Sequence, residues 1–236
     1  MARWGMVIDL DKCTACQACT VACKEENNEP IAGPEGSRRG RDIFWMQVLS
    51  VVESQYPRVR ARFIPRPCMH CDEPPCVQVC PVDATYKRKD GLVAQDYDRC
   101  IGCRYCMVAC PYGVRYFNWE RPRFQATEYL NPDKVLSRNG AGRQGPVVRS
   151  VGVVEKCTFC IHRLEKAGEK AKAEGREVKD GDYKTACQQT CTGGAIHFGD
   201  LDDPNSQVYQ LSRDKRAFRL LEELGTEPRV YYLKEG

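Results

Sequence analysis

Apolar residues in this chain come in short runs, bounded by polar and turn-forming residues, and most runs lack a helical period. Ile43 to Val52 (IFWMQVLSVV) and Val59 to Ile64 are rich in β-branched and aromatic residues, with Tyr56-Pro57 between them. That pattern predicts two strands joined by a turn. GLVAQDYDRC, ending at Cys100, predicts a short strand leading into a cysteine motif. Leu164 to Arg176 (LEKAGEKAKAEGR) predicts a charged, solvated helix weakened by its glycines. Asp214 to Leu224 predicts an amphipathic helix stopped at Gly225, followed by a strand at Val230 to Leu233. Asn118 to Ser150, rich in Pro, Gly and Arg, predicts an irregular connection suited to wrapping a partner.

No stretch approaches the roughly 18 apolar residues that a membrane helix needs. The opening MARWGMVIDLDKC has no apolar signal region. Ser37-Arg38-Arg39 looks like a twin-arginine signal, but it follows Cys23 and precedes no long apolar segment, which predicts a solvated loop. The expectation is a chain with neither an export address nor an anchor of its own. With 42% hydrophobic and 29% charged residues over 236 positions, it has material for one large or two small cored domains.

Composition changes this picture at one point: 16 cysteines against three histidines. The cysteines form four groups of four. They are Cys13, Cys16, Cys19 and Cys23; Cys68, Cys71, Cys76 and Cys80; Cys100, Cys103, Cys106 and Cys110; and Cys157 and Cys160 with Cys187 and Cys191. An even count permits a disulfide scaffold, but such scaffolds serve short secreted chains that cannot build a core. Dense thiolates select zinc or iron–sulfur clusters. Zinc usually takes two cysteines from each of two knuckles. C-x2-C-x2-C instead sends three sulfurs to one cubane, and the fourth cysteine of C-x2-C-x2-C-x3-C-P goes to a second cubane. The third group matches that pattern through Pro111, and the second is a C-x2-C-x4-C-x3-C-P variant with Pro74-Pro75 in the longer loop. The first and fourth groups have Lys24 and Thr192 where the proline would stand.

Crossed ligation requires paired groups. The expected ligand sets are Cys13, Cys16, Cys19 and Cys191 for cluster 1, and Cys23, Cys157, Cys160 and Cys187 for cluster 2. Cluster 3 would take Cys68, Cys71, Cys76 and Cys110, and cluster 4 Cys80, Cys100, Cys103 and Cys106. The predicted fold class is therefore α+β, with two ferredoxin-type modules, one inserted into the other, and β-hairpin and loop insertions. Residues 1–62 with 150–236 form the outer module, 63–117 the inserted one, and 118–149 the irregular connection. The expected cofactors are four [4Fe–4S] clusters, of which an exposed one can lose iron and appear as [3Fe–4S].

The formal net charge of +4 would suit nucleic acid. Four oxidised clusters with their thiolates bring about −8, however, and the total to about −4. The basic excess then reads as internal compensation, with Lys12, Arg99, Arg104 and Lys156 beside motif cysteines. No catalytic constellation is visible: His70, His162 and His197 are unclustered, and His70 reads equally as a packed side chain or a cluster neighbour. Trp119 and the aromatics of YGVRYFNW read as packing for the core. Three function classes remain: a subunit of a membrane-bound complex, a stand-alone polyferredoxin serving soluble enzymes, and a zinc-stabilised binding module.

GMVIDLDKCTACQACTVACKEEN, CMHCDEPPCVQVCPVDATY, CIGCRYCMVACPYGVRYFNW, EKCTFCIHR and GAIHFGDLDDPNS together resemble the four-cluster iron–sulfur subunit of the dimethyl sulfoxide reductase and polysulfide reductase superfamily. VVEKCTFC and TACQQTC are most similar to subunits of quinone-reductase and alternative complex III assemblies. The resemblance implies an electron-transfer subunit with no catalytic site of its own. Its partners would be a molybdopterin-type catalytic subunit and a polytopic quinone-interacting membrane subunit, or a cytochrome. Nucleic acid is not expected, and membrane contact would come only through partners. It also implies a place on the outer, periplasmic face of the cytoplasmic membrane, reached by co-export, with the cytoplasmic face as the alternative.

Overall fold

The computed structural model describes residues 2–53, 55–120, 131 and 149–234. Strand β1, Trp4–Asp9 (WGMVID), is buried at every position. It lies in a sheet of order β8-β1-β10-β9 with β8 (Ile196–Asp200), β9 (Ala217–Phe218) and β10 (Val230–Leu233). β1 runs antiparallel to β8, with Ile8 opposite Ile196, and parallel to β10, with Met6 opposite Val230. A parallel pair needs a long crossover, and here the crossover is nearly the whole chain. The antiparallel pair has a local consequence. The chain leaves β1 towards Cys13 at the same end where it enters β8 from Cys191, with the Asp9 amide donating to the Ala195 carbonyl at 2.8 Å.

Alternation along β1 separates two apolar clusters. Trp4, Met6 and Ile8 join the main core, while Val7 packs with Leu201, Val208 and Leu233. Gly5 lies on the Val7 face. A Cβ there would sit 2.3 Å from Leu201 Cδ1 and 2.8 Å from the Arg229 carbonyl, so only glycine permits the approach. In the main core, the Trp4 ring stacks on Phe198 at 5.7 Å and meets Tyr183 edge-on.

The predicted hairpin forms from β2 (Gln47–Glu53) and β3 (Arg60–Arg66), starting later than the apolar run because Ile43, Trp45 and Met46 are spent on the core. Its base is held by the Tyr232 hydroxyl, which donates to Pro65 O at 2.9 Å. Helices α1 (Ala18–Glu26) and α6 (Ala186–Thr190) pack together, and α6 also touches β8. Between them in the chain come α3 (Pro75–Gln78), β4 (Thr85–Lys87), β5 (Val93–Gln95) and α4 (Tyr105–Val108), with β4 and β5 antiparallel. β5 is the strand expected in GLVAQDYDRC. β6 (Tyr116–Phe117) pairs with β7 (Val154–Glu155) on the far side of the long connection. That connection lies mostly outside the described residues.

The charged helix is present as α5, Ile161–Ala173, starting three residues before the predicted Leu164. Its first turn is joined to the end of α1 by Glu26, which accepts from His162 Nε2 at 2.6 Å and from Arg163 Nε at 2.5 Å. Two expectations are corrected. Ser37-Arg38 belongs to a short exposed helix, α2 (Gly33–Arg38), in which Glu35 pairs with Arg38 and Arg39. Asp214 to Leu224 is not a helix; the helix in this region is α7, Gln207–Leu211. The Asp214 side chain accepts the Arg216 amide at 2.7 Å, a local bond that competes with helix formation. β9 then pairs with β10, placing Phe218 on Tyr232, and a 3₁₀ turn follows at Glu222–Leu224. The strand at Val230–Leu233 is as predicted.

One carboxylate joins three parts of the chain. Asp72, directly after Cys71, accepts from Arg3 Nη2 at 2.7 Å, Lys87 Nζ at 3.0 Å and Arg229 Nε at 2.9 Å. Backbone bonds reinforce the seam: Asp72 N to Glu227 O at 2.8 Å, and Arg229 N to Met69 O at 3.0 Å. Burial pushes the Asp72 carboxyl up, but hydrogen bonds from Arg229, Arg3 and Lys87 outweigh it and hold the group well below the usual carboxylate range. A depressed folded pKa stabilises above the unfolded value, about 3.9, and that contribution fades only as pH falls through the folded one. Asp72→Asn should therefore cost about 2 kcal/mol in urea unfolding of the cluster-loaded protein. The deficit should stay constant from about pH 5 to 8; a deficit that varied across that window would mean the carboxyl titrates inside it.

Candidate functional site

All four cysteine loops share one backbone device. The residue just before the second cysteine has positive φ in each: Ala15 at 56°, His70 at 44°, Gly102 at 70° and Phe159 at 51°. In the first and third loops the residue after it does too, Gln17 and Arg104, both at 63°. Only Gly102 adopts this conformation freely; the others carry strain of about 1–2 kcal/mol each. Left-handed residues interleaved with ordinary ones turn successive N–H groups to one side, making a concavity that attracts anions, as at many iron–sulfur sites. The strain thus has an electrostatic use.

The exits from the loops differ as their sequences do. α3 and α4 end at Gln78 and Val108, just before Cys80 and Cys110, and Pro81 and Pro111 follow. Without a proline, α1 runs on through Cys23 to Glu26, and Lys24 Nζ donates to Ile43 O at 2.5 Å. Thr192, the other departure, places its hydroxyl 3.5 Å from Cys16 Sγ.

The loops bring sulfurs together across long sequence separations. Cys13, Cys16, Cys19 and Cys191 line one cavity, and Cys80, Cys100, Cys103 and Cys106 line another. Burial drives the Cys23 thiol well up, and its sulfur neighbours are Cys157, Cys160 and Cys187. Burial likewise takes Cys71 up to about 12, beside Cys68, Cys76 and Cys110. Electrostatic neighbours link these sets one after another. Cys187 is raised by burial, by Cys160 and Cys157, and also by Cys19. Cys157, pushed up to about 12 by burial, feels Cys68 next; Cys106, raised by burial, feels Cys76. Cys16 and Cys103 are exposed, and they belong to the two sets at the ends of that succession. All sixteen cysteines are free of disulfides. Among the described residues no three His, Cys, Asp or Glu side chains converge on a single-ion site. Two of the four sulfur sets line cavities instead.

Donors are arrayed on the sulfurs. Amides of Thr85, Val154, Ala186 and Ala195 point at Cys80, Cys100, Cys160 and Cys191 at 3.2–3.5 Å. The Asn27 side chain does the same for Cys23 at 3.4 Å, and the Thr185 hydroxyl lies 3.3 Å from Cys187. At Cys80, burial pushes the thiol up but the amides of Thr85, Val82 and Ala84 outweigh it, lowering the pKa. The deeply buried thiols have no such net help and need a metal partner to ionise. Free thiols gathered in pairs of loops, anion-attracting backbone and donors on sulfur are what a cubane with thiolate ligands requires.

The compensating cations are only partly those expected. Lys156 is fully buried, donating to Val93 O and, at 2.9 Å, to Cys157 O. Arg104 lies instead over the rings of Phe117 and Trp119, and Arg99 is largely exposed beside Asp96. Sequence reasoning missed Arg115, a buried guanidinium close to Cys76, Cys106 and Cys68. Its only signal was a basic residue in an apolar run, YGVRYF.

The histidines hold structure. His70 is fully buried, stacked on Phe159 at 3.9 Å, and accepts the Val93 amide at Nδ1 at 3.1 Å. Nε2 therefore carries the proton and donates to Cys157 O at 3.1 Å, while burial and the Lys156 charge keep the ring neutral. His197 lies 3.0 Å from Gln207. Trp119 meets Phe117 edge-on at 4.8 Å but stays 43% exposed, so it only borders the core.

Comparison with known proteins agrees with this geometry. Two family models described as 4Fe–4S dicluster domains match, one over residues 59–134 and one over 12–84 and 99–195. The chain is 50% identical to the iron–sulfur cluster-binding subunit of menaquinone reductase from Nitratidesulfovibrio vulgaris, over 98% of this chain and 88% of that protein. It is 41% identical to a selenate reductase subunit from Mesobacillus selenatarsenatis, over 98% of this chain and 72% of that one. It is 40% identical to the arsenate respiratory reductase iron–sulfur subunit of a Shewanella species, over 98% and 96%. The chain belongs to the 4Fe–4S dicluster family, among the iron–sulfur subunits of respiratory oxidoreductases, and carries four [4Fe–4S] clusters.

Proposed function

We propose that this chain is the electron relay of a respiratory complex, passing electrons between a molybdopterin-type catalytic subunit and a quinone-reactive or cytochrome membrane subunit. It has no catalytic site of its own. The observation that carries this reading is the succession of neighbouring sulfur sets, enclosed in the middle and reaching the surface at Cys16 and Cys103. Relatives are named as subunits of menaquinone, selenate and arsenate reductases, which supports a partnered role over a free polyferredoxin.

The ligand sets follow the four groupings. Cluster 1 is held by Cys13, Cys16, Cys19 and Cys191, and cluster 2 by Cys23, Cys157, Cys160 and Cys187. Cluster 3 is held by Cys68, Cys71, Cys76 and Cys110, and cluster 4 by Cys80, Cys100, Cys103 and Cys106. The relay runs in the order 1-2-3-4 or its reverse. Residues 1–62 with 150–236 make the outer module and 63–117 the inserted one. Once bound, the cubanes supply one-electron donor and acceptor centres. The protein's part is to keep water from the middle sets, aim amides at sulfur and hold cations near the buried anions. Among the described residues no helix is long and apolar enough to cross a membrane. On this reading, membrane attachment comes through partner subunits, on the outer face of the cytoplasmic membrane.

Anaerobically purified protein should contain about sixteen iron and about sixteen acid-labile sulfide per chain, with zinc well below one. Stoichiometric zinc would overturn the cluster reading. In EPR of the reduced protein, Cys23→Ala should perturb the same signal as Cys157→Ala and a different one from Cys13→Ala. A shared Cys13 and Cys23 signal would break the crossed ligation. Purified from its native membrane, the chain should bring with it a large molybdenum-containing subunit and a polytopic one; recovery alone, with full cluster content, would favour the free polyferredoxin.

A further inference from the structure

Most buried cations in this protein have a stated use. Arg229 serves Asp72, and Arg149 meets Glu155 while its Nη1 and Nη2 donate to Asn27 O and Asn28 O. Lys156 spends its protons on two carbonyls. Arg115 is different. It is only 4% exposed, and among the described residues no carboxylate pairs with it. A guanidinium cannot shed its proton in a protein, and burying it uncompensated costs several kcal/mol. Some anion must therefore balance it.

Its position identifies that anion. Nη1 donates to Thr85 Oγ1 at 3.1 Å and to Gln95 Oε1 at 3.3 Å. Thr85 and Gln95 both line the cavity of Cys80, Cys100, Cys103 and Cys106, and the Thr85 amide also donates to Cys80 Sγ. Arg115 is thus seated in the wall of that site. Nη2 is buried and makes no hydrogen bond of ordinary geometry. Near the guanidinium are the sulfurs of Cys106 and of Cys76 and Cys68, which belong to two neighbouring sets. A buried donor is left over beside these sulfurs.

We propose that Arg115 is the shared counter-ion of clusters 3 and 4, with Nη2 donating to ligand or inorganic sulfur, and that it raises the potentials of both. The inference rests on the relay reading. Reduction adds a negative charge, and a fixed cation in a low-dielectric gap stabilises the reduced form of whichever cluster holds the electron. By acting on both sides, Arg115 raises the potentials of the two sites together, so neither becomes a trap relative to the other. It is a positioning and tuning residue, reached by no substrate.

The test is an EPR-monitored redox titration of the cluster-loaded protein in its complex. In Arg115→Gln, two of the four clusters should show at least a tenfold lower reduced-to-oxidised ratio at fixed potential, a drop of about 59 mV for one electron. The other two should be unchanged, and Arg115→Lys should recover part of the shift. If Arg115→Gln fails to load four clusters, Arg115→Lys is read alone, with a smaller drop expected in the same two signals because an ammonium lacks the planar fork. Unshifted potentials in the loaded variant overturn the proposal, as does a uniform shift of all four. Failure of the relay or ligand reading would look different, because signals would then be lost or reassigned in the cysteine series rather than left intact with unmoved potentials.

Discussion

The structure depends on β1 being held between β8 and β10. A buried strand from the start of the chain can satisfy its backbone groups only by pairing, and both of its partners come from the last 41 residues. This closure delivers Cys13 and Cys191 to the same end of the sheet and presses α1 against α6. The intervening residues then run between two strands of one sheet. The sulfur sets that join the two halves of the chain are a consequence of strand pairing as much as of cysteine spacing.

The second constraint is electrostatic. Four anionic cofactors in one small protein would be costly to bury in a dry apolar interior. The chain answers at three ranges. Next to sulfur are the amides, exposed in part by left-handed residues at Ala15, His70 and Phe159 that cost local strain. Between the sets are buried cations, Lys156 and Arg115. At the seam, Asp72 gathers Arg3, Lys87 and Arg229 and so ties the second cysteine loop to both ends of the chain. His70 belongs to the same seam, tying the Cys157 carbonyl to the Val93 amide. Rigidity here serves transfer, since a relay gains from centres that neither shift nor re-solvate.

Much of the candidate site was legible from spacing. C-x2-C-x2-C is a local instruction, and its reading as three ligands to one centre needs no tertiary information. The missing prolines after Cys23 and Cys191 were legible as departures, though not their results: a helix that continues to Glu26, and a threonine that reaches Cys16. The hairpin, the short strand β5, the charged helix α5 and strand β10 were legible from pattern within a few residues. Asp214 to Leu224 was misread because its periodicity is real, yet the Asp214 turn and the pairing of Phe218 with Tyr232 prevailed over it.

By itself, then, the sequence determined the number of centres and that cysteine sulfur is the atom offered to them, because short-range spacing sends three sulfurs of a loop to one cubane. Only the tertiary structure decided the succession of the sets and which of them reach solvent. It also decided which cations serve them. Arg115 and Lys156 are distinguished from the other basic residues solely by burial among sulfurs brought together from distant parts of the chain. Linear order offered Lys156 with three other basic neighbours of motif cysteines and could not rank them, since the field at a buried charge depends on neighbours in space.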